Sequence, residues 1–115
     1  MSEKIVPDTS IIVDGRLSKL INEGKIKGAE IIIPEMVLDE LQGQANRGLE
    51  IGFNGLNEIK NLRDIAEKNK NFKISGVGRR PTAEEIRLAK KGRIDALIRD
   101  VAKEENATLY TADLV

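Results

Sequence analysis

Four short apolar runs, rich in β-branched residues, alternate with longer segments of helical periodicity, and this alternation restricts the chain to few folds. The runs lie at residues 4–6, 29–33, 72–77 and 108–111. Strands that alternate with helices favour a parallel sheet with helices on both of its faces. The sequence therefore predicts an α/β fold with three layers, α/β/α, and a central parallel sheet of about four strands.

Local signals predict where the helices begin. Asp14 stands before Gly15 and is predicted to be the N-cap of a helix that contains Leu17. Pro34 ends the second apolar run and suits the first turn of the next helix.

Glycines and a capping motif predict the remaining helix boundaries. Gly48 and Gly52 predict an interruption, with a long helix from about Asn54. Thr82 and Glu85 have the spacing of a capping box and predict the start of another helix. The three aromatic residues are too few for a base-stacking platform and are predicted to be core residues; they are Phe53, Phe72 and Tyr110.

The length of 115 residues suits a single domain, which we place at residues 1–115. The chain stops two residues after Asp113, directly beyond the fourth apolar run. We expect an N-terminal fragment of a longer protein that lacks the closing strand of its sheet.

Composition excludes several kinds of chemistry. The chain has no cysteine and no histidine, so a disulfide framework, a Cys-based zinc site and an imidazole base are all excluded. Its 19 basic and 19 acidic residues cancel, so bulk charge indicates neither nucleic acid nor membrane. No segment is long enough to cross a bilayer and none resembles a signal peptide, so we expect a cytoplasmic protein.

Four acids are placed where an α/β fold binds ligands. Asp8 follows the first strand and Asp113 the fourth, and ligands bind beyond the carboxyl ends of parallel strands. Asp95 begins the helix before the fourth strand, and Glu40 lies in the helix after the second. Clustered carboxylates repel one another unless a hard cation neutralises them. The four acids therefore indicate a metal site.

Each acid also has a purely structural interpretation. Asp8 and Asp113 could be turn residues or N-caps, and Asp95 stands where an acid favours the helix dipole. Glu40 could be a solvated helix residue, and helical periodicity does not separate it from Asp39. Their joint placement is what favours a site.

Four segments resemble the signature blocks of the PIN-domain family. They are IVPDTS at residues 5–10, PEMVLDEL at 34–41, DALI at 95–98 and LYTAD at 109–113. They come in the family's order and span nearly the whole chain. The shorter runs VDGR at 13–16, LQGQANRG at 41–48 and RPT at 80–82 resemble archaeal proteins that join an N-terminal PIN domain to an ATPase and a KH module.

The resemblance implies a function and a set of site residues. It implies Mg²⁺- or Mn²⁺-dependent hydrolysis of single-stranded RNA, or of DNA, by an endonuclease. The implied catalytic and metal-binding residues are Asp8, Glu40, Asp95 and Asp113, and the implied supporting hydroxyls are those of Ser10 and Thr111.

Four arginines are candidates for phosphate contacts. Arg79 and Arg80 lie in a basic loop, for which a solvated turn is the simpler explanation. Arg16 and Arg47 flank the predicted acidic cluster, so the resemblance makes them the stronger candidates.

Two other functions compete with the nuclease. A PIN domain of low catalytic activity could serve assembly or nucleic-acid guidance in a larger ATPase, where the full-length protein would form a homo-oligomer. A receiver-like domain needs an aspartate at the end of its third strand, where this chain has Ser75 and Gly76, so we set it aside.

Overall fold

The computed structural model describes residues 3–77, 82–90 and 94–111. In chain order the elements are β1 Glu3–Pro7, α1 Thr9–Val13, α2 Arg16–Asn22, β2 Ala29–Pro34, α3 Glu35–Asn46, α4 Glu50–Lys68, β3 Phe72–Val77, α5 Ala83–Lys90, α6 Asp95–Glu104 and β4 Thr108–Tyr110.

The strands form one parallel sheet in the order β3-β2-β1-β4. Glu3 of β1 lies opposite Ala29 of β2, and Pro7 of β1 lies opposite Tyr110 of β4. From β1, the strands β2 and β3 follow one another toward one edge of the sheet, whereas β4 lies on the opposite side of β1. The strand order therefore reverses between β1 and β4. The predicted α/β fold with a parallel sheet of four strands is confirmed.

Helices cover both faces of this sheet. Ile5 and Val6 are adjacent in β1, and both are fully buried. Neighbouring residues of a strand point to opposite faces, so both faces of β1 are covered. The three isoleucines of β2, residues 31–33, are at most 2% exposed for the same reason. One group of helices comprises α1 to α4, which pack on one another and on β2 and β3, while α6 packs on β1 and β4 and contacts α5.

The short helix α1 was not predicted from the sequence. Asp8 is its N-cap, and Ile11 and Ile12 are its buried residues. Asp14 was predicted to be the N-cap of α2, but it is the C-cap of α1, and Gly15 holds the N-cap position of α2. The prediction was wrong because five residues give too little periodicity to reveal a helix.

Gly15 cannot cap α2 with a side chain, and a distant carboxylate replaces that cap. Glu58 of α4, which is 2% exposed, accepts a hydrogen bond from the Ser18 backbone N–H at 2.8 Å and one from Ser18 Oγ at 2.6 Å. The carboxylate therefore satisfies an N–H of the first turn of α2. It also places negative charge near the positive end of the helix dipole.

Gly52 was predicted to interrupt a helix, and this was wrong, since α4 begins at Glu50. Gly52 and Gly55 are both buried against α3. A Cβ at Gly52 would meet the backbone of Ala45 and lie 2.7 Å from the carbonyl oxygen of Leu41, while a Cβ at Gly55 would meet the Leu41 side chain. The glycines are therefore contact residues that let two helices approach closely.

The capping box is confirmed, because the Thr82 N–H donates to Glu85 Oε1 at 2.8 Å and the Glu85 N–H donates to Thr82 Oγ1 at 3.1 Å. Among the aromatic residues, Phe72 is buried and Tyr110 packs partly against the core, as predicted. Phe53 is 55% exposed, so its assignment to the core was wrong. It lies on the outer side of α4, which packs on α3 through its glycines.

We expect Gly52→Ala to lower the free energy of unfolding by about 3 kcal/mol, the upper end for overpacking, because the atoms it meets belong to the backbone. Gly55→Ala should cost about half as much, since the terminal methyl groups of Leu41 can shift. Gly43→Ala on α3 is the control, because its Cβ would meet only Arg47 Nη1 at 3.7 Å. Urea unfolding measures all three. Equal stability of Gly52→Ala and Gly43→Ala would contradict the close packing of α3 on α4.

We expect Glu58→Leu to destabilise the protein by about 1–3 kcal/mol, because it leaves the buried Ser18 N–H without an acceptor. Glu58→Gln keeps an oxygen for that N–H and should cost less than half of this. Asp64→Ala, an exposed change on the same helix, is the control. Denaturant unfolding gives the comparison. If leucine and glutamine are equally tolerated, Glu58 does not act as the cap of α2.

Candidate active site

The candidate site lies where β1 and β4 end, at the point where the strand order reverses. In open α/β sheets this position forms a crevice that binds ligands. The Asp8 N–H donates to the Tyr110 carbonyl oxygen at 2.9 Å, so the pairing of β1 with β4 continues one residue beyond β1. Asp8 is thereby held beside the residues that follow β4.

Asp8 is fixed by two hydrogen bonds to one of its carboxylate oxygens. The Ile11 N–H donates to Oδ1 at 3.1 Å and the Ser10 hydroxyl donates to Oδ1 at 2.6 Å. The alternative role of an N-cap, left open by the sequence, is confirmed for Asp8. Since both bonds end on Oδ1, the cap leaves Oδ2 for another partner.

The two predicted supporting hydroxyls lie side by side. Ser10 Oγ and Thr111 Oγ1 are 3.4 Å apart, although the residues are 101 positions apart in the chain. Ser10 thus contacts Asp8 on one side and the segment that leaves β4 on the other. That segment leads to Asp113, which lies outside the described residues.

Glu40 lies on α3, the helix that follows the neighbouring strand β2. Helix α3 begins directly after β2, whose carboxyl end lies at the same edge of the sheet as that of β1. Glu40 is half-buried and Asp39 is exposed, which separates two acids that periodicity alone could not. Gln44 Nε2 donates to Glu40 Oε1 at 3.3 Å.

The electrostatic surroundings of Glu40 act in opposite directions. Burial raises the pKa of the Glu40 carboxyl, and the positive charge of Arg47 partly offsets this by lowering it. The Arg47 guanidinium lies near Gly43, the residue one helical turn before Arg47 in the chain. Arg47 is therefore a cation close enough to Glu40 to affect its ionisation. Arg16 forms an exposed ion pair with Asp14 at 3.3 Å, so the turn between α1 and α2 accounts for its position.

The structure describes the backbone of Asp95 as the first residue of α6, and its side chain lies outside the described part. A helix that leads into a parallel strand runs back from the carboxyl edge, so α6 begins near that edge. Arg79 and Arg80 lie outside the described residues.

Among the described residues no group of three or more acidic, histidine or cysteine side chains is placed to hold a metal ion. The described side chains include two of the four predicted acids, Asp8 and Glu40. What they offer is carboxylate oxygen, the donor that Mg²⁺ and Mn²⁺ prefer.

Sequence reasoning missed Gln44, the hydrogen-bond partner of Glu40. The signal was present in the spacing, since residues four apart on a helix are neighbours. It could not be interpreted before Glu40 was known to be half-buried.

The profile of the PIN-domain family matches residues 5–114. An uncharacterized KH and PIN-domain containing protein of Methanocaldococcus jannaschii is 50% identical over 115 residues, all of this chain and 18% of the relative. An uncharacterized PIN and TRAM-domain containing protein of Bacillus subtilis, YacL, is 41% identical over 66 residues, or 50% of this chain and 18% of the relative. This chain thus matches less than a fifth of either relative.

A solved structure has the same fold. It is a domain of a functionally unknown protein from Methanocaldococcus jannaschii, with a TM-score of 0.80 and 42% identity, covering 99% of this chain and 94% of that one. The resemblance seen in the sequence is confirmed by a family match over almost the full length and by a close structural neighbour. The chain belongs to the PIN-domain family.

Proposed function

We propose that this domain is a metal-dependent endonuclease that hydrolyses single-stranded RNA. PIN domains are generally nucleases. The observation that carries the proposal is the extension of the parallel β1–β4 pairing to Asp8. It places Thr111, two residues before Asp113 in the chain, beside Ser10 at the same crevice. The proposed ligands and catalytic residues are Asp8, Glu40, Asp95 and Asp113.

The described residues fit a hard cation. Asp8 Oδ2 remains available beside the fixed Oδ1, and the half-buried Glu40 carboxylate bears a desolvation cost that a cation would offset. When bound, Mg²⁺ or Mn²⁺ supplies charge stabilisation to a phosphodiester and lowers the pKa of water.

The chain's own residues would orient the substrate and the carboxylates. Ser10 keeps Asp8 from rotating, and its contact with Thr111 ties the ends of β1 and β4 together. Arg47 provides positive charge beside Glu40 and is the strongest candidate for a phosphate contact. Arg16, Arg79 and Arg80 remain weaker candidates.

RNA is proposed over DNA because of the relative from Methanocaldococcus jannaschii, whose description joins PIN with KH. KH modules are among the common modules that recognise single-stranded RNA. Across the described part of the chain, none of the helices is both long and apolar enough to cross a membrane. A cytoplasmic location, an ATPase context and a homo-oligomer of the longer protein stay predictions, as does the N-terminal position of this domain within it.

A second candidate function is assembly with little catalysis. The observation that favours it is a group of exposed apolar side chains where α4 begins, namely Leu49, Ile51 and Phe53, at 42%, 45% and 55% exposure. Leu49 and Phe53 are four residues apart, the spacing of neighbours on one side of a helix, and exposed apolar patches are typical of surfaces that contact another protein. Such a surface is compatible with a domain that guides nucleic acid within a larger particle.

We expect Asp8→Asn and Asp95→Asn each to abolish cleavage of single-stranded RNA, and the double variant to be no worse, because residues that act as a unit lose activity non-additively. Glu40→Gln should also lose about 100-fold or more, as expected when a ligand is removed. The assay is gel electrophoresis of a labelled single strand with Mg²⁺ or Mn²⁺ and with chelator, using this chain and the longer gene product.

Asp39→Asn is the matched control, since it changes an exposed acid next to Glu40 and should cleave as the wild type does. If the longer wild-type protein cuts nothing with either metal, the assembly function is the better explanation. If Asp8→Asn cuts as well as the wild type, the site lies elsewhere.

Glu40→Gln should raise the melting temperature of the metal-free protein at pH 7 by roughly 1–3 °C, a small effect because the group is half-exposed. The pKa of Glu40 is raised in the folded state, so wild-type stability falls as pH rises through the unfolded and then the folded value. The advantage of the Glu40→Gln variant should therefore vanish below the unfolded pKa, near 4.5.

Calorimetric melting in chelator measures the difference in melting temperature between Glu40→Gln and the wild type. The pH is varied from about 3.5 to 7, a range that includes the ordinary glutamate pKa. Asp39→Asn, which is exposed, should show no such pH-dependent gain. With saturating Mg²⁺ the order should reverse, since the cation stabilises only the protein that binds it. A variant less stable than the wild type throughout would mean that Glu40 is a structural residue.

A further inference from the structure

Two buried side-chain atoms in the described part of the chain lack a hydrogen-bond partner, and each belongs to a residue that neighbours a proposed ligand, in the chain or by a hydrogen bond. They are Thr9 Oγ1 and Gln44 Oε1. Thr9 follows Asp8 directly, and Gln44 donates to Glu40 through the other end of its amide. Buried polar atoms without partners are unfavourable and rare, so their position next to two acids calls for an explanation.

The orientation of the Gln44 amide does not remove the problem. Turning the amide over would exchange the nitrogen for the oxygen at the buried position and would leave that atom equally without a partner. It would also bring the amide oxygen against the Glu40 carboxylate in place of the donor that now lies 3.3 Å from Oε1. The orientation with Nε2 toward Glu40 is therefore favoured, and the unpartnered atom is an acceptor.

We propose that Gln44 is a positioning residue of the metal centre: its Nε2 orients the Glu40 carboxylate, and its buried Oε1 accepts a hydrogen bond from a water in the cation's hydration shell. The inference rests on the proposed function, since it requires a cation at Glu40. It assigns a role to a residue outside the four acids and the two hydroxyls.

The chemistry of the cation fits this acceptor. Mg²⁺ dehydrates reluctantly and keeps several waters, each of which is a strong donor. Gln44 Oε1 is buried and has no partner to give up, so a small rotation of the side chain that admits one of these waters costs no existing hydrogen bond at that atom. Groups that hold a ligand from the next shell affect metal affinity by about 10–100-fold.

A simpler role would be a local tether on α3. Residues 40 and 44 are one turn apart, and such pairs stabilise helices slightly. A tether would make the protein less stable when Gln44 is replaced and would leave metal affinity unchanged. The proposed role has the opposite signature, because replacement removes a buried unpartnered oxygen but weakens metal binding.

The test compares Gln44→Met, which keeps the volume and removes the amide, with Gln42→Met, an exposed change on the same helix. Calorimetric titration of Mn²⁺ into nucleic-acid-free protein should show about tenfold weaker binding for Gln44→Met and no change for Gln42→Met. In chelator, Gln44→Met should melt no lower than the wild type. Gln44→Asn shortens the side chain by one methylene and should bind Mn²⁺ several-fold more weakly than the wild type. On a logarithmic scale this loss of affinity is roughly half of that expected for Gln44→Met.

Asp8→Asn in the same titration separates the two proposals. If Asp8→Asn loses Mn²⁺ binding while Gln44→Met and Gln44→Asn bind as the wild type does, the role of Gln44 is overturned and the metal site stands. If the wild type and Asp8→Asn bind Mn²⁺ equally, both the metal site and the role of Gln44 are overturned. Lower melting of Gln44→Met with unchanged affinity would identify a tether.

Discussion

The parallel pairing of β1 with β4 is the interaction on which the candidate site depends. These strands are separated by about a hundred residues, yet the pairing continues past β1 to the Asp8 N–H. It places Asp8, the N-cap of α1, beside the segment that follows β4. The contact of Ser10 with Thr111 connects α1 to that segment. Because strand order reverses there, neighbouring helices diverge and leave a crevice instead of a covered edge.

Asp8 shows how a structural and a chemical role can coexist in one carboxylate. Capping α1 uses Oδ1, through the Ile11 N–H and the Ser10 hydroxyl. These bonds fix the plane of the carboxylate, so Oδ2 has a defined position for a ligand. The cap interpretation and the ligand interpretation, which compete when only the sequence is considered, are compatible in the folded protein.

The position of Glu40 depends on packing remote from the acids. Gly52 and Gly55 let α4 approach α3 closely at Leu41, the residue after Glu40. This fixes the rotation of α3 about its axis, which leaves Glu40 half-buried and Asp39 in solvent. The burial that raises the pKa of Glu40 is thus a consequence of helix–helix contact and not of the local sequence.

The sequence by itself determined the alternation of strands and helices, the parallel sheet and the capping box at Thr82, because periodicity and capping are local properties of the chain. It also named Asp8 and Glu40 as candidates, through their positions after strands and their resemblance to the PIN family. Only the tertiary structure decided the rest. It distinguished Glu40 from Asp39, made Gly52 a contact residue and supplied Glu58 as the cap of α2. Each of these depends on a partner far away in the chain or on which side of a helix is covered, and neither quantity is encoded in a local pattern.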